Sequence, residues 1–208
     1  TSKKDVEKLM GGSQADLVFT DPPYGISYKA TDFEVIKGDE LRGEPLYDLL
    51  KKAFDNLFLF TKEDPAIYVF HASSTQMIFE TALNDAGLEV KQQLIWNKGM
   101  VLSRSDYHWS HEPCFYVRKK GNNNKWYGDR KHKTILRAEK TDLKTFRKDE
   151  LIQMITAMQD ESTIWEIKKD NVRTYLHPTQ KPVDLSVKAI LNNTNKNGIV
   201  LDLFFRSY

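Results

Sequence analysis

The sequence predicts an α/β domain in which helices flank a largely parallel β-sheet. Short apolar runs of strand length alternate along the chain with amphipathic stretches of helical period, a pattern typical of layered α/β proteins. No internal repeat or long low-complexity tract interrupts this alternation. With 208 residues, of which 40% are hydrophobic, the chain is long and apolar enough to build one substantial core. We therefore expect one globular domain and not a disordered chain.

The predicted elements can be placed in chain order. The first strand covers residues 15–20 and ends at Asp21, Pro22 and Pro23, because proline cannot donate to a strand ladder and restricts the residue before it. A helix is predicted at 46–58, where apolar residues recur at helical spacing. The remaining elements are strands at 66–70, 88–96, 113–117, 163–167 and 198–204, and helices from Ser73 or Ser74 to about Gly87, at 150–158 and at 183–191.

Composition excludes several classes of protein. No apolar run approaches the roughly 18 residues that a membrane-spanning helix needs. Residues 1–17 are polar with scattered apolar side chains, unlike the apolar stretch of a secretory signal peptide. Cys114 is the single cysteine, so no internal disulfide can form, which fits a reducing compartment. We expect a cytoplasmic protein with no membrane partner.

Positive charge is concentrated in one segment. The net charge of the chain is +2, yet residues 118–148 hold twelve Lys or Arg against three acids, which leaves this segment at +9 and the remainder at −7. Trp126, Tyr127 and Phe146 are interleaved with these cations. Such a composition is expected of a surface that meets phosphates and stacks on bases. A solvated, lysine-rich loop is the alternative interpretation.

Two strand ends carry candidate functional residues, because open α/β sheets bind ligands at the carboxyl ends of their strands. The first is Asp21-Pro22-Pro23-Tyr24, and the second is the run 202–204, Asp-Leu-Phe. The two prolines fix the backbone and aim carbonyl groups out of the sheet, Asp21 adds a carboxylate acceptor and Tyr24 adds a flat aromatic face. Together they can hold a planar amino group and its ring, as a site for an extruded nucleobase must. A simple strand-terminating turn is the alternative.

These motifs resemble those of the amino-group DNA methyltransferases of the beta arrangement, in which the catalytic motif comes first, the recognition region second and the cofactor motif last. The resemblance spans nearly the whole chain. It rests on residues 15–25, on the stretch 108–114, and on 177–185 followed by 200–204.

The resemblance implies a Rossmann-like, S-adenosylmethionine-dependent methyltransferase fold with a basic recognition insert. It implies transfer of a methyl group from S-adenosylmethionine to a flipped base in duplex DNA, as in restriction-modification. Asp in the first motif position, here Asp21, favours adenine N6 over cytosine N4. The alternatives are methylation of cytosine N4, of an RNA or of a protein amide, and a non-catalytic nucleic-acid-binding remnant of a methyltransferase.

Carried over by residue, the resemblance makes Asp21, Pro22, Pro23 and Tyr24 the catalytic residues. Asp21 and the Pro22 carbonyl would accept the two N6 hydrogens, and Tyr24 would stack on the flipped base. No metal or covalent nucleophile is needed, because the sulfonium methyl is already activated. The predicted cofactor-binding residues are Asp21, His177, Thr179, Lys181, Pro182, Asp202 and Phe204.

The resemblance also implies a division of the domain into three segments. Residues 1–99 would form the catalytic half, 100–148 the basic target-recognition insert, and 149–208 the cofactor-motif half. Duplex DNA is the expected partner, and a homodimer is a further expectation. The predicted DNA contacts are Arg104, Lys125, Trp126, Arg130 and Lys131.

One stretch departs from the family pattern. Phe205, Arg206 and Tyr208 stand where the family has a glycine-rich turn, which lets the backbone approach the cofactor closely. The sequence also lacks an initiator Met and stops just after this stretch, so both ends look cut. We therefore expect an incomplete cofactor site that binds S-adenosylmethionine weakly or not at all.

Other polar residues are interpreted structurally. His108, His111 and Cys114 are spaced by three, but a fourth ligand is not apparent and no metal is expected. We expect His71 to be packed in the core with its hydrogen bonds satisfied. We expect Trp96 and Trp165 to lie in the core or at its rim.

Overall fold

The structure is a computed structural model that describes residues 2–27, 37–98, 111–128, 164–167 and 181–204. Its six strands are β1 (Ala15–Thr20), β2 (Thr61–Phe70), β3 (Leu88–Asn97), β4 (His111–Lys119), β5 (Ile164–Glu166) and β6 (Val200–Leu201). Its helices are α1 (Lys3–Met10), α2 (Gly43–Phe60), α3 (Gln76–Asp85), which follows a 3₁₀ turn at Ser73–Thr75, and α4 (Val183–Asn193). None of the helices in these ranges is long and apolar enough to span a membrane.

All six strands form one sheet in the order β5-β3-β4-β2-β1-β6. β1 pairs in parallel with β2 and with β6, and β3 pairs in parallel with β5. β4 is antiparallel to both of its neighbours, β2 and β3. The predicted α/β fold with a mostly parallel sheet is therefore confirmed, with β4 as the strand that runs the other way.

Strand register brings the candidate residues to one edge of the sheet. Thr20 pairs with Val69 and Val18 pairs with Leu201, so β1, β2 and β6 end side by side. We call this edge, where Asp21, His71 and Asp202 follow the three strands, the carboxyl edge. Because β4 runs antiparallel to β2, it begins at the carboxyl edge and brings Glu112 there.

Two apolar layers cover the two faces of the sheet. On one face, Val18 of β1 packs with side chains of α2 and α3, including the fully buried Phe54 and Phe79. On the other face, Leu17 packs with Leu185 of α4. Successive β1 residues point to opposite faces, so the apolar residues of this strand are buried on both sides. The buried Trp96 and Trp165 belong to the second layer, as predicted.

The structure differs from the predicted elements at both ends. Helix α1 was not predicted, because only Val6 and Met10 are buried, while Ser2 accepts the Asp5 N–H as an N-cap and Gly11 ends the helix at φ +54°. The predicted buried strand at 198–204 is reduced to β6, Val200–Leu201. Val200 is 40% exposed, because β6 lies at the end of the strand order and has β1 as its one neighbour among the described strands. The predicted helix at 150–158 lies outside the described residues.

The predicted three-segment division remains a prediction. Strands β5 and β6, from the segment 149–208, lie in the same sheet as β1 to β3. Strand β4 falls within the segment 100–148 and lies between β3 and β2 in that sheet. The sheet is therefore built from all three predicted segments.

Candidate active site

The loop that follows β1 is held from both sides. The N–H of Gly25 donates to Asp39 Oδ1 at 2.9 Å, and the hydroxyl of Thr75 donates to the Tyr24 carbonyl at 2.8 Å. Pro22 and Pro23 are buried. Proline also fixes the backbone φ angle, so the loop presents Asp21 and Tyr24 in a defined orientation.

Asp21, Tyr24 and Lys181 form a hydrogen-bonded group at the carboxyl edge. Tyr24 donates its hydroxyl hydrogen toward Asp21 Oδ1 at 2.5 Å, and Lys181 Nζ lies 2.6 Å from Asp21 Oδ2. Lys181 Nζ also lies 3.2 Å from the Tyr24 hydroxyl oxygen and 3.1 Å from Glu112 Oε1. An ammonium group carries three hydrogens, and three acceptors surround it here. All the donors of Lys181 are thus directed at side chains of this group.

This geometry bears on the predicted cofactor role of Lys181. The residue lies with the predicted catalytic side chains, and a cofactor carboxylate would have to replace one of its three present partners. Burial by itself would lower the pKa of Lys181, but the negative charges of Asp21 and Glu112 raise it above the ordinary value. Lys181 is therefore charged at every physiological pH.

Glu112 and Lys98 complete the group and were not predicted as functional residues. The Tyr24 hydroxyl is also within hydrogen-bond distance of Glu112 Oε1, so its single hydrogen is shared between Asp21 and Glu112. Glu112 Oε2 lies 2.6 Å from Lys98 Nζ. Burial by itself would raise the pKa of Glu112, but the charges of Lys181 and Lys98 lower it to about 2. Burial, together with the nearby Asp21 and Glu112, raises the pKa of Tyr24 well above its usual value. Glu112 is thus a carboxylate and Tyr24 a neutral phenol at pH 7. The sequence feature that could have identified Glu112 was its position within the stretch 108–114.

Asp202 lies beside this group at the end of β6. Its Oδ1 accepts from the Thr20 hydroxyl at 2.7 Å and from the Phe204 N–H at 3.0 Å. Burial raises the pKa of Asp202, and the charge of Asp21 acts in the same direction. Two carboxylates from adjacent parallel strands therefore meet at the carboxyl edge, with the half-buried Phe204 next to them.

The side chains at this edge fit S-adenosylmethionine in charge and in hydrogen-bonding chemistry. Its sulfonium is a cation and its ribose hydroxyls are donors, which suits the carboxylates of Asp21 and Asp202, and Phe204 offers an apolar surface. Pro182, another predicted cofactor residue, is buried at the N-cap of α4. The predicted cofactor residues His177 and Thr179 lie outside the described residues, as do Phe205, Arg206 and Tyr208.

His71 is buried at the carboxyl edge, as predicted, but among the described residues its hydrogen bonding is incomplete. Its ring stacks on Phe115 with centroids 4.0 Å apart, and its Nδ1 lies 3.2 Å from the Ala72 carbonyl oxygen. Within the part of the chain that the structure describes, Nε2 has no hydrogen-bond partner. Burial lowers the pKa of His71 to about 4, so the ring is neutral at pH 7.

This shift predicts a pH-dependent loss of stability. A base whose pKa is lower in the folded state stabilises the fold fully above its unfolded pKa, near 6.5, and loses that contribution as the pH falls toward the folded value near 4. Between pH 6.5 and pH 5 we expect the free energy of unfolding to fall by about 2 kcal/mol on account of His71. Urea unfolding of the wild type and of His71→Phe, which keeps a stacked ring, measures the difference. An equal pH dependence in both proteins would show that His71 is not the group responsible.

The structure places Lys125 and Trp126 away from the carboxyl edge. The Lys125 N–H donates to the Asp64 carbonyl at 3.2 Å, and Lys125 Nζ lies 3.2 Å from Asp64 Oδ2, near the amino end of β2. About 20 Å of strand separates this end from the carboxyl edge. Lys125 and Trp126 are therefore not brought together with Asp21. The other predicted DNA contacts, Arg104, Arg130 and Lys131, lie outside the described residues.

The described part of the basic segment makes internal contacts. Four of the twelve Lys and Arg residues of this segment are described, and each contacts another group of the protein. Arg118 pairs with Glu89, Lys119 donates to the Thr61 carbonyl, Lys120 donates to the Asn84 carbonyl and Lys125 pairs with Asp64. Lys119 is only 4% exposed. These four residues therefore hold β4 and the turn after it against the rest of the domain.

The His and Cys residues of the stretch 108–114 do not form a metal site in the described ranges. Cys114 is buried in the second apolar layer, while His111 is exposed at the start of β4. Groups of three or more His, Cys, Asp or Glu that could hold a metal are absent among the residues described. His108 lies outside them.

Comparison with known proteins places the chain among DNA methylases. The sequence profile of the N6/N4 DNA methylase family matches residues 15–207. The DNA adenine methyltransferase YhdJ of Escherichia coli is 24% identical over 212 residues, and the alignment covers 97% of this chain and 68% of that protein.

Solved structures share the fold. The crystal structure of an M1.HpyAVI–SAM complex matches 98% of this chain and 79% of its own at 20% identity, with a TM-score of 0.59. The cytosine-N4-specific PvuII DNA methyltransferase matches 95% of this chain and 71% of its own at 13% identity, with a TM-score of 0.58. These two likenesses confirm the Rossmann-like methyltransferase fold, and the profile match over most of the chain shows that it belongs to the N6/N4 DNA methylase family.

Proposed function

We propose that this chain transfers a methyl group from S-adenosylmethionine to N6 of an adenine that is flipped out of duplex DNA. The observation that carries the proposal is the Asp21 carboxylate at the carboxyl edge, which is hydrogen-bonded to Tyr24 and paired with Lys181. A carboxylate at this position of the family motif favours adenine. The 24% identity with an adenine methyltransferase is in keeping with this choice.

The side chains of this loop suit the attack of an exocyclic amino group. S-adenosylmethionine, when bound, supplies a methyl group on a positively charged sulfur. Asp21 and the Pro22 carbonyl accept the two N6 hydrogens and so draw the nitrogen toward a more nucleophilic, tetrahedral geometry. Asp21 then takes the proton that N6 must lose. Because the Asp21 side chain is 29% exposed, it can pass that proton to water.

Cytosine N4 methylation is the second candidate. The amino groups of adenine and cytosine are chemically alike, and the cytosine-N4-specific PvuII enzyme shares the fold with a TM-score of 0.58, close to the 0.59 of M1.HpyAVI. The fold alone therefore supports both bases equally. The choice of adenine rests on Asp21.

Product analysis tests the proposal. Weak cofactor binding stays a prediction, because residues 205–208 lie outside the described residues. The chain is therefore incubated with a high concentration of methyl-labelled S-adenosylmethionine and with mixed-sequence duplex DNA, and the digested DNA is analysed as nucleosides. We expect labelled N6-methyladenine. Labelled N4-methylcytosine would establish the second candidate, and salt-dependent DNA binding without any methyl transfer would favour a non-catalytic remnant.

A further inference from the structure

Four charged side chains form a continuous chain at the carboxyl edge. Asp21 Oδ2 lies 2.6 Å from Lys181 Nζ, Lys181 Nζ lies 3.1 Å from Glu112 Oε1, and Glu112 Oε2 lies 2.6 Å from Lys98 Nζ. We call these four residues the charge cluster. Its members follow β1, precede α4, begin β4 and follow β3, so four separate segments bring them together. Two carboxylates and two ammonium groups give the charge cluster a net charge of zero.

The charges in this cluster are weakly screened by water. The side chains of Lys181 and Glu112 are 12% and 9% exposed. The effective dielectric constant near such groups is far below that of water, so each charge is felt strongly by its neighbours. Removal of one charge would therefore change the electrostatic potential at Asp21.

The ammonium of Lys181 poses an electrostatic problem for the proposed reaction. Methyl transfer to an amino group moves a positive charge onto its nitrogen, and Asp21 is the group placed to stabilise that charge. Yet Lys181 lies 2.6 Å from the same carboxylate and largely cancels its field. A second negative charge is needed to offset Lys181, and Glu112 supplies it at 3.1 Å.

We infer that Glu112 is a positioning residue that acts through Lys181, offsetting the lysine charge so that Asp21 keeps its negative charge available to the target amino group. The inference rests on the proposed function, because the reacting nitrogen is the one that Asp21 holds. Glu112 also shares the hydroxyl hydrogen of Tyr24 with Asp21, so the same carboxylate helps to orient the phenol of the catalytic loop.

Three variants separate charge from shape. Glu112→Gln keeps the hydrogen-bonding oxygen but leaves the charge cluster at +1. Lys98→Met alone leaves it at −1, and the double variant returns it to zero. We expect kcat to fall about 10- to 100-fold in Glu112→Gln and to recover most of that loss in the double variant. Lys98→Met alone is the reference for the effect of removing the lysine charge. The KM for DNA is expected to stay nearly constant.

A purely structural role predicts a different order. If Glu112 served only as a hydrogen-bond acceptor, removal of Lys98 would not restore kcat. The double variant would then be as slow as Glu112→Gln. That result would overturn the inference. Glu112→Asp, which keeps the charge, is expected to retain more kcat than Glu112→Gln, and thermal unfolding of every variant shows that loss of fold does not explain the rates.

A measurement without ligands keeps the inference separate from the proposed function. The side-chain carbon next to the Lys181 ammonium is followed by NMR above about pH 10 in ¹³C-lysine-labelled chain. The charges of Asp21 and Glu112 raise the pKa of Lys181, so we expect this pKa to fall in Glu112→Gln and to rise again in the double variant. An unchanged titration would overturn the inference. A wild-type chain that methylates neither base would instead overturn the proposed function, while the titration still decides the role of Glu112.

Discussion

Replacement of Asp21 by asparagine is expected to lower kcat for methyl transfer by about 100- to 1,000-fold, the usual loss when a group that stabilises transition-state charge is removed. Asparagine has nearly the same shape, so the fold should persist. The substitution removes the negative charge that faces the reacting nitrogen and leaves Lys181 with Glu112 as its remaining anionic partner. Its amide oxygen can still accept a hydrogen bond, and the loss therefore measures the charge.

Initial rates at saturating cofactor and DNA give kcat, and calorimetry gives the cofactor affinity of each protein. The matched control is Asp55→Asn, which removes a carboxylate from an ion pair with Lys51 on α2 and should leave the rate unchanged. An Asp21→Asn chain that keeps more than about a third of the wild-type kcat would show that Asp21 does not act on the reacting amino group.

Replacement of Gly25 by alanine is expected to lower the free energy of unfolding by about 3 kcal/mol or more and to lower kcat at least about tenfold. Gly25 has φ +71°, and a Cβ at this position would lie 2.8 Å from the Leu41 carbonyl oxygen and 2.5 Å from Leu46 Cδ2. The backbone carbonyl cannot rotate away as a side chain can. The loop that carries Asp21 and Tyr24 would therefore shift.

Gly43→Ala is the control for this variant. Gly43 also has a positive φ, +55°, but its Cβ would have no neighbour within 4 Å. We expect Gly43→Ala to lower the free energy of unfolding by only about 1 kcal/mol, which is the penalty of the left-handed conformation alone. Urea unfolding measures both variants, and methyl-transfer rates show whether the loop has moved. Equal losses of stability would mean that crowding at Gly25 is unimportant.

The sequence was sufficient to locate the loop of the site. Strand β1 was predicted with its observed bounds, because Asp21, Pro22 and Pro23 end it sharply. The parallel pairing of β1 with β2 and β6 follows from the alternation of strands and helices, and it accounts for the meeting of Asp21 and Asp202 at one edge. These features depend on local pattern and on connection rules.

The partners of Asp21 could not be predicted in the same way. Glu112 reaches the carboxyl edge only because β4 runs antiparallel between β2 and β3, and that insertion depends on long-range pairing that local pattern does not encode. Among the described residues, Lys98 is joined to the site through Glu112. The charge cluster is thus a product of topology.

The positive charge of the segment 118–148 does not by itself identify a functional surface. Net charge counts Lys119 and Lys125 equally, yet Lys119 is buried against β2 and Lys125 pairs with Asp64. A cation that stabilises the fold and a cation that meets phosphate are identical in composition. The charges of residues 118–125 therefore do not test the predicted interface with DNA, which stays a prediction.

A crystal structure of the chain with S-adenosylhomocysteine and duplex DNA that contains its methylated sequence tests the central claim most directly. We predict an extruded adenine whose N6 lies within about 3.2 Å of an Asp21 carboxylate oxygen and of the Pro22 carbonyl oxygen, the usual range of a hydrogen bond. An extruded cytosine at this place, or an adenine bound away from Asp21, would contradict the account.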